Sequence, residues 1–339
     1  MKYIEINNRR YLGNKYKLIY FITETIKKEC NEIKSIGDIF SGTGAVASAY
    51  IDKRIITNDI LYSNYICNYA WFGYKKVDIN KIEKIINDYN SKIFDKDNYM
   101  TDKFSDTFFC YEDCLKIGGI RENIEQKSKK GIINERERAV LIMALLYSMD
   151  RIANTCGHYD AYIRGKNLKP RLKIDMPNIA NNNNRGNKCY NEDANHLVRR
   201  KDFNVDLVYI DPPYNSRQYS DAYHLLENVA RWEKPEVYGV ARKMDRTSLK
   251  SKYCTNEATN EFCDLINNIN SKYIVLSYNN TGNKANERSN ARISDDDIMR
   301  ILSKKGKVKV FNKDYKAFTT GKSKNDENKE RLFICKVGK

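Results

Sequence analysis

The stretch Ser35-Ile-Gly-Asp-Ile-Phe-Ser-Gly-Thr-Gly44 decides the fold. Ser35 to Phe40 reads as a short buried strand, and Ser41-Gly-Thr-Gly44 as a turn opening a helix that runs to about Asp52. Arg54-Ile-Ile-Thr57 reads as a second strand that stops at Asn58-Asp59. Strand, glycine turn, helix and strand in that order make a βαβ unit, which implies a parallel sheet. Working outward, residues 15–30 read as a preceding helix and Ser63–Phe72 as a following one. Residues 78–150 have apolar side chains at three- and four-residue spacing and read as mostly helical, with Glu135–Met149 the clearest segment. The parallel-sheet signature resumes at Asp206-Leu-Val-Tyr-Ile210, followed by a helix from Asp221 to Trp232. Later strands are expected at Tyr273–Ser277, Lys307–Phe311 and Arg331–Lys336, the last two as a hairpin around a polar loop. An α/β core built from residues 1–74 and 189–339 is thus expected to carry an insertion over 75–188.

The glycine turn lies where a nucleotide-like ligand meets such a sheet, since glycines let backbone approach a ligand closely. The pattern is not the dinucleotide GxGxxG, and it lacks the lysine and hydroxyl residue of a P-loop. Asp59, at the end of the second strand, is placed to accept both hydroxyls of a ribose. It could equally cap the next helix.

Val208-Tyr-Ile-Asp-Pro-Pro-Tyr-Asn215 is the most specific feature. An apolar strand runs straight into Asp211-Pro212-Pro213-Tyr214, at the end of the sheet where ligands bind. Two prolines remove two N–H donors and leave carbonyls free to accept. Asp211 adds a carboxylate and Tyr214 a flat ring on a stiff loop. Two acceptors beside a ring suit the exocyclic amine of a planar base.

The 339 residues carry 60 Lys and Arg against 44 Asp and Glu, a net charge of +16. Such an excess points to a polyanion. Lys outnumbers Arg by 40 to 20 and Asn, Ile and Tyr are abundant, so AT-rich codons account for part of it. The distribution is uneven, however. Residues 75–130 balance at +1, whereas 151–190 hold 8 basic and 2 acidic side chains. Residues 231–252 hold 7 and 3, and residues 301–339 hold 12 and 4, the latter without an assigned place. Apolar runs are far too short for a membrane span, the start lacks a signal-peptide stretch, and nine scattered cysteines fit reduced thiols. A soluble cytoplasmic protein is expected. No metal site is expected, because Cys110 and Cys114 have no partner pair and the three histidines are far apart.

These features resemble those of the S-adenosylmethionine-dependent DNA adenine-N6 methyltransferases of the D12 class, Dam-like and FokI-like methylases among them. Arg10-Tyr-Leu-Gly-Asn-Lys15 resembles the family's N-terminal cofactor motif, and Asp38 to Gly44 its FxGxG motif, with Asp59 as the ribose acid. Asn191-Glu-Asp-Ala194 resembles the element before the catalytic strand, and Asp211 to Tyr214 the catalytic tetrapeptide. Asp211 to Tyr219, Tyr223-His-Leu-Leu-Glu227 and Ser277-Tyr-Asn-Asn280 resemble the FokI-like branch in particular. The resemblance implies a Rossmann-like class I methyltransferase core with a mixed, mainly parallel sheet and a largely helical DNA-recognition insertion. It implies S-adenosyl-L-methionine held by Tyr11, Gly13, Lys15, Asp38, Phe40, Ser41, Gly42, Gly44, Asp59, Asp193, Ala194 and Asp211. Catalysis is expected from Asp211, Pro212, Pro213 and Tyr214, acting on adenine N6 after the base leaves the duplex.

Double-stranded DNA is the expected partner, read by Arg151, Asn154, His158, Tyr162, Arg164 and Lys166 of the insertion. Arg217 and Gln218 just past the catalytic turn, with Arg242 and Arg246, are expected to add contacts. A monomer is expected, with a restriction endonuclease of the same site as a possible companion. Competing readings are cytosine-N4 or RNA-adenine methylation, or a non-catalytic DNA-binding protein with this fold.

Overall fold

The computed structural model describes residues 6, 11–179, 181, 186–279, 292–314 and 329–338. Arg10 and Asn280, each part of a motif quoted above, lie outside them. Seven strands form one sheet: β1 (Ser35–Asp38), β2 (Arg54–Asn58), β3 (Lys188–Tyr190), β4 (Leu207–Ile210), β5 (Tyr273–Asn279), β6 (Gly306–Asp314) and β7 (Lys329–Val337). Their order is β3-β2-β1-β4-β5-β7-β6. The first five are parallel, and β7 runs antiparallel to both β5 and β6. This is the Rossmann-like class I methyltransferase arrangement, a mixed and mainly parallel sheet. β1 has β2 on one side and β4 on the other, so the order reverses there and opens a crevice at the carboxyl ends of β1 and β4.

Burial on both faces explains why these strands read as continuous apolar runs. Leu207 and Tyr209 of β4 pack into one core, while Val208 and Ile210 pack into another. The first core lies beneath α1 (Ile19–Glu29), α2 (Ala45–Ser48) and α3 (Tyr62–Phe72). The second lies beneath α8 (Ala194–Leu197), α11 (Ala258–Asn268) and α12 (Asp295–Ser303). None of the last three, nor β3, was evident in the periodicity.

The first core continues without a break into α4 (Ile79–Ser91), α5 (Tyr99–Phe104), α6 (Tyr111–Lys129) and α7 (Glu135–Ile152). Asn134 caps α7 reciprocally with Glu137, and Asn98 caps α5 with Thr101, which sets where these helices start. Arg121 of α6, wholly buried, donates to the Val229 and Ala230 carbonyls at the end of α10 (His224–Arg231). The helical segment is therefore packed onto the sheet domain through polar as well as apolar contacts.

Two helix expectations need correction. The helix after the glycine turn stops at Ser48 instead of about Asp52. Its last turn tightens, with Ala49 and Tyr50 N–H bonding three residues back to Val46 and Ala47. The helix expected over 221–232 is two pieces, α9 (Tyr219–Ala222) and α10, because Tyr223 leaves helical geometry at φ −123°.

Candidate active site

Local sterics build the floor of the crevice. Gly44 sits at φ +79°, and a Cβ there would come within 2.5 Å of Asn68 Oδ1. Only glycine takes that conformation without strain. Asn68 in turn donates to the Gly42 carbonyl at 3.0 Å, and Ser41 donates through both N–H and hydroxyl to the Asn58 carbonyl. The turn is thereby tied to the end of β2. Asp59 closes it, accepting from Gly42 N–H at 2.8 Å and from Leu61 N–H at 2.9 Å. It does not cap α3. The Tyr62 and Ser63 N–H groups at that helix start donate to Glu227 of α10 instead.

Lys15, Asp211 and Glu330 meet at the opposite wall. Lys15, 5% exposed, places its ammonium 2.9 Å from Asp211 Oδ1 and 3.5 Å from Glu330 Oε1. Burial alone would lower the Lys15 pKa, but the two carboxylates outweigh it and hold it well above the usual value. Burial pushes the Asp211 carboxyl up to about 6, with Lys15 opposing and Glu330 adding to the rise. Asp38, 1% exposed at the end of β1, is raised to about 8 by burial and then by Asp211. Its Oδ1 has no partner among the described residues. Burial also raises Asp59 to about 6, against its hydrogen bonds.

Tyrosines complete the wall. Tyr11 stacks on Tyr223 at 4.7 Å, and Leu12 N–H donates to the Tyr223 hydroxyl at 2.7 Å. The Tyr219 hydroxyl donates to the Leu12 carbonyl, so the 11–15 segment is strapped over the site by residues that follow the Asp211–Tyr214 turn. The Tyr214 ring meets Tyr278 edge-on at 5.9 Å and has the Lys15 ammonium 5.5 Å from its centroid. Across the cleft, Asn191 holds the Asp59 and Ile60 carbonyls, and Asp193 caps α8 through Asn195 and His196 N–H.

Together these elements enclose a cleft of about 930 Å³, its open mouth included. Tyr11, Gly13, Lys15, Asp38, Phe40, Ser41, Gly42, Asp59, Asp193, Ala194, Asp211 and Pro213 all line it. Gly44, Pro212 and Tyr214 do not, and Gly44 contributes through backbone shape. Glu330 and Tyr253 escaped the sequence reading. Tyr253 lines the cleft, stands edge-on to Phe40 at 5.2 Å and bonds Asn195. Neither residue sits in a local pattern that could have flagged it.

The residues expected on DNA are more scattered. Asn154 is 2% exposed and spends its amide on the Thr107 and Ile163 carbonyls. Arg151 is exposed but pairs with Asp175 at 2.6 Å. Tyr162 packs its half-buried ring edge-on against Phe108, and Gln218 exchanges hydrogen bonds with the Ser251 backbone. Arg164, Lys166 and Arg242 are exposed. Arg217 and Lys243 both grip Asp160, at 2.6 and 2.8 Å, with His158 at 3.5 Å, and Arg246 pairs with Asp221 at 2.7 Å. The loop after α7 is thus joined to the segment that follows the Asp211–Tyr214 turn.

A glycine turn after β1, an acid after β2 and an Asp-Pro-Pro-Tyr turn after β4, all at one crevice, mark a methyltransferase of the Rossmann-like class I fold. The chain belongs to the D12 class N6 adenine-specific DNA methyltransferases, whose family model matches residues 11–288. It is 33% identical to Modification methylase StsI of Streptococcus sanguinis, over 96% of this chain and 51% of that protein. It is 33% identical to Type II methyltransferase M.FokI of Planomicrobium okeanokoites, over 80% of this chain and 45% of that one. Type II methyltransferase M.NlaIII of Neisseria lactamica is 28% identical over 94% of this chain and 95% of its own length. The chain thus spans about half the length of the first two relatives and nearly all of the third. Among the described residues no helix is long and apolar enough to cross a membrane.

Proposed function

We propose that this chain transfers the methyl group of S-adenosyl-L-methionine to N6 of an adenine rotated out of double-stranded DNA. The observation that carries the reading is the meeting of the glycine turn and the Asp211–Tyr214 turn at one crevice, from adjacent strands. The residues fit the cofactor. Gly42 lines the cleft where a Cβ would press on the Tyr11 ring, Asp59 faces the cleft for a ribose, and the unpartnered Asp38 oxygen awaits a donor. S-adenosylmethionine, when bound, supplies a methyl group on an electrophilic sulfonium.

The protein's own part is positioning and electrostatics. Asp211 and the Pro212 carbonyl accept the two N6 hydrogens, which frees the nitrogen lone pair for attack. Tyr214, braced by Tyr278, offers its ring to the base. With its carboxyl near 6, Asp211 is ionised at neutral pH and can accept. Arg217, three residues past Tyr214, and Lys243, which shares Asp160 with it, are the cations offered to flanking phosphates, in competition with that carboxylate. Relatives named modification methylase and type II methyltransferase support a protective role beside a restriction endonuclease of the same site.

The test is a radiolabelled-methyl assay on duplex DNA with digestion of the product. Wild type should yield N6-methyladenine. Asp211→Ala should transfer no methyl group while still binding S-adenosylmethionine by calorimetry. Methyl transfer that survives in Asp211→Ala would sink the assignment.

A further inference from the structure

Glu330 lies on β7, past the end of the family match at residue 288. The residue is 3% exposed. Ser277 of β5 donates to its Oε1 at 2.7 Å, and Lys15 lies 3.5 Å from the same oxygen. A buried carboxylate costs several kcal/mol unless it is paired, roughly as much as a folding domain can spare. Among the described residues, Glu330 shares its one cation with Asp211, which already sits closer to it at 2.9 Å. Two carboxylates around one ammonium leave a net negative group in a largely buried site. Packing alone does not call for that.

We propose that Glu330 is a positioning residue for methyl transfer, holding Lys15 between two carboxylates so that Asp211 keeps acceptor capacity for the target amine. An ammonium has three donors on a flexible stem. Lys15 already touches Asp211 through Oδ1 alone, and with Asp211 as its sole anion its remaining donors would be free to take further lone pairs that the N6 hydrogens need. Glu330 draws the ammonium part-way to β7, and the Ser277 hydroxyl fixes where Glu330 stands. Tyr214 gains from the same geometry, because the held ammonium lies beside its ring. The groups facing Asp211 are Lys15, Glu330, Asp38 and the Tyr209 and Tyr219 hydroxyls. Among the carboxylates, Glu330 raises the Asp211 pKa directly.

The inference rests on the methyltransferase reading, and two measurements on the full chain separate them. Glu330→Gln keeps the shape and the Ser277 bond but removes the charge. Its kcat should fall about 10- to 100-fold, in the range that a small misplacement of a catalytic group costs. KM for DNA should stay near the wild-type value. The acidic limb of the pH–kcat profile should move to lower pH, because Asp211 loses a repelling neighbour and keeps Lys15. The second measurement needs no turnover: carbon-13 NMR titration of the Asp211 carboxyl, assigned with Asp211→Asn, should show the same downward shift in Glu330→Gln. An Asp211 titration that does not move, or a kcat and acidic limb equal to wild type, overturns the role of Glu330. An inactive wild type with a shifted titration overturns the methyltransferase reading alone. Should Glu330→Gln fail to fold, Ser277→Ala, which only loosens Glu330, should still lower kcat several-fold, and an unchanged kcat there also overturns the proposal.

Discussion

Arg217, three residues past Tyr214, donates through Nη2 to Asp160 Oδ2 at 2.6 Å and through Nε to the same oxygen at 3.2 Å. Asp160 belongs to the loop after α7, so this pair ties the segment behind the Asp211–Tyr214 turn to the helical segment. Lys243 takes the other oxygen at 2.8 Å. Against its partial burial, these two cations hold the Asp160 carboxyl below its usual value. A DNA phosphate entering here has to compete with that carboxylate for both cations.

Asp160→Asn should therefore tighten duplex binding and steepen its salt dependence. Each additional phosphate contact adds about 0.9 to the slope of log K against log salt. Fluorescence anisotropy with a short duplex across a salt series reads both quantities. Weaker binding with a shallower slope would mean that Asp160 holds Arg217 and Lys243 in their DNA-gripping pose.

Gly44→Ala should destabilise the protein and weaken the cofactor site together. Alanine at φ +79° is strained by about 1 kcal/mol, and its Cβ would displace Asn68 from the Gly42 carbonyl. Differential scanning calorimetry should show a Tm several degrees lower, and titration calorimetry a weaker S-adenosylmethionine Kd. A Gly44→Ala variant with wild-type Tm and Kd would remove the steric argument for this turn.

Stability should depend on pH through Asp38. Burial raises its carboxyl from 3.8 to about 8, so between those values the folded chain holds a proton that the unfolded chain releases. Its contribution is greatest below the lower value and is lost as pH rises toward the upper one. Buried His224 runs the other way: burial lowers it from 6.5 to about 4, so its contribution is present above the first value and is lost as pH falls to the second. The Tm difference between Asp38→Asn and wild type isolates the first effect. It should move in favour of the variant from about pH 5 to 8, and a constant difference would contradict a protonated Asp38.

Arg121→Met should cost about 3 kcal/mol, as for breaking a buried charged group from its partners. The Val229 and Ala230 carbonyls lose their donor, while Arg138 keeps Glu125 paired. Urea unfolding should remain a single transition with a lower midpoint, because α6 and α10 share one core. Two separated transitions would show that the helical segment unfolds by itself.

Much of this was legible along the chain. The strand, glycine turn and second strand, and the apolar run into Asp211-Pro-Pro-Tyr214, are local signals, since burial on both faces and the backbone demands of glycine and proline act within a few residues. Most of the residues they singled out line the cleft. The basic surface was less legible. A basic or polar side chain in a loop reads the same whether it faces solvent, as Arg164 does, or is committed inside the fold, as Asn154 is.

By itself, then, the sequence determined the parallel core, the two turns that meet at its crevice and the residue types that line them. Tertiary structure alone decided the partners. Glu330 reaches Lys15 because β7 runs antiparallel to β5 with Glu330 opposite Asn279, and a one-residue slip would turn it to the other face. Glu227 caps α3, and Asp160 restrains Arg217, through contacts just as remote in the chain. Such pairings depend on strand register and helix docking between distant segments, and no local periodicity encodes them.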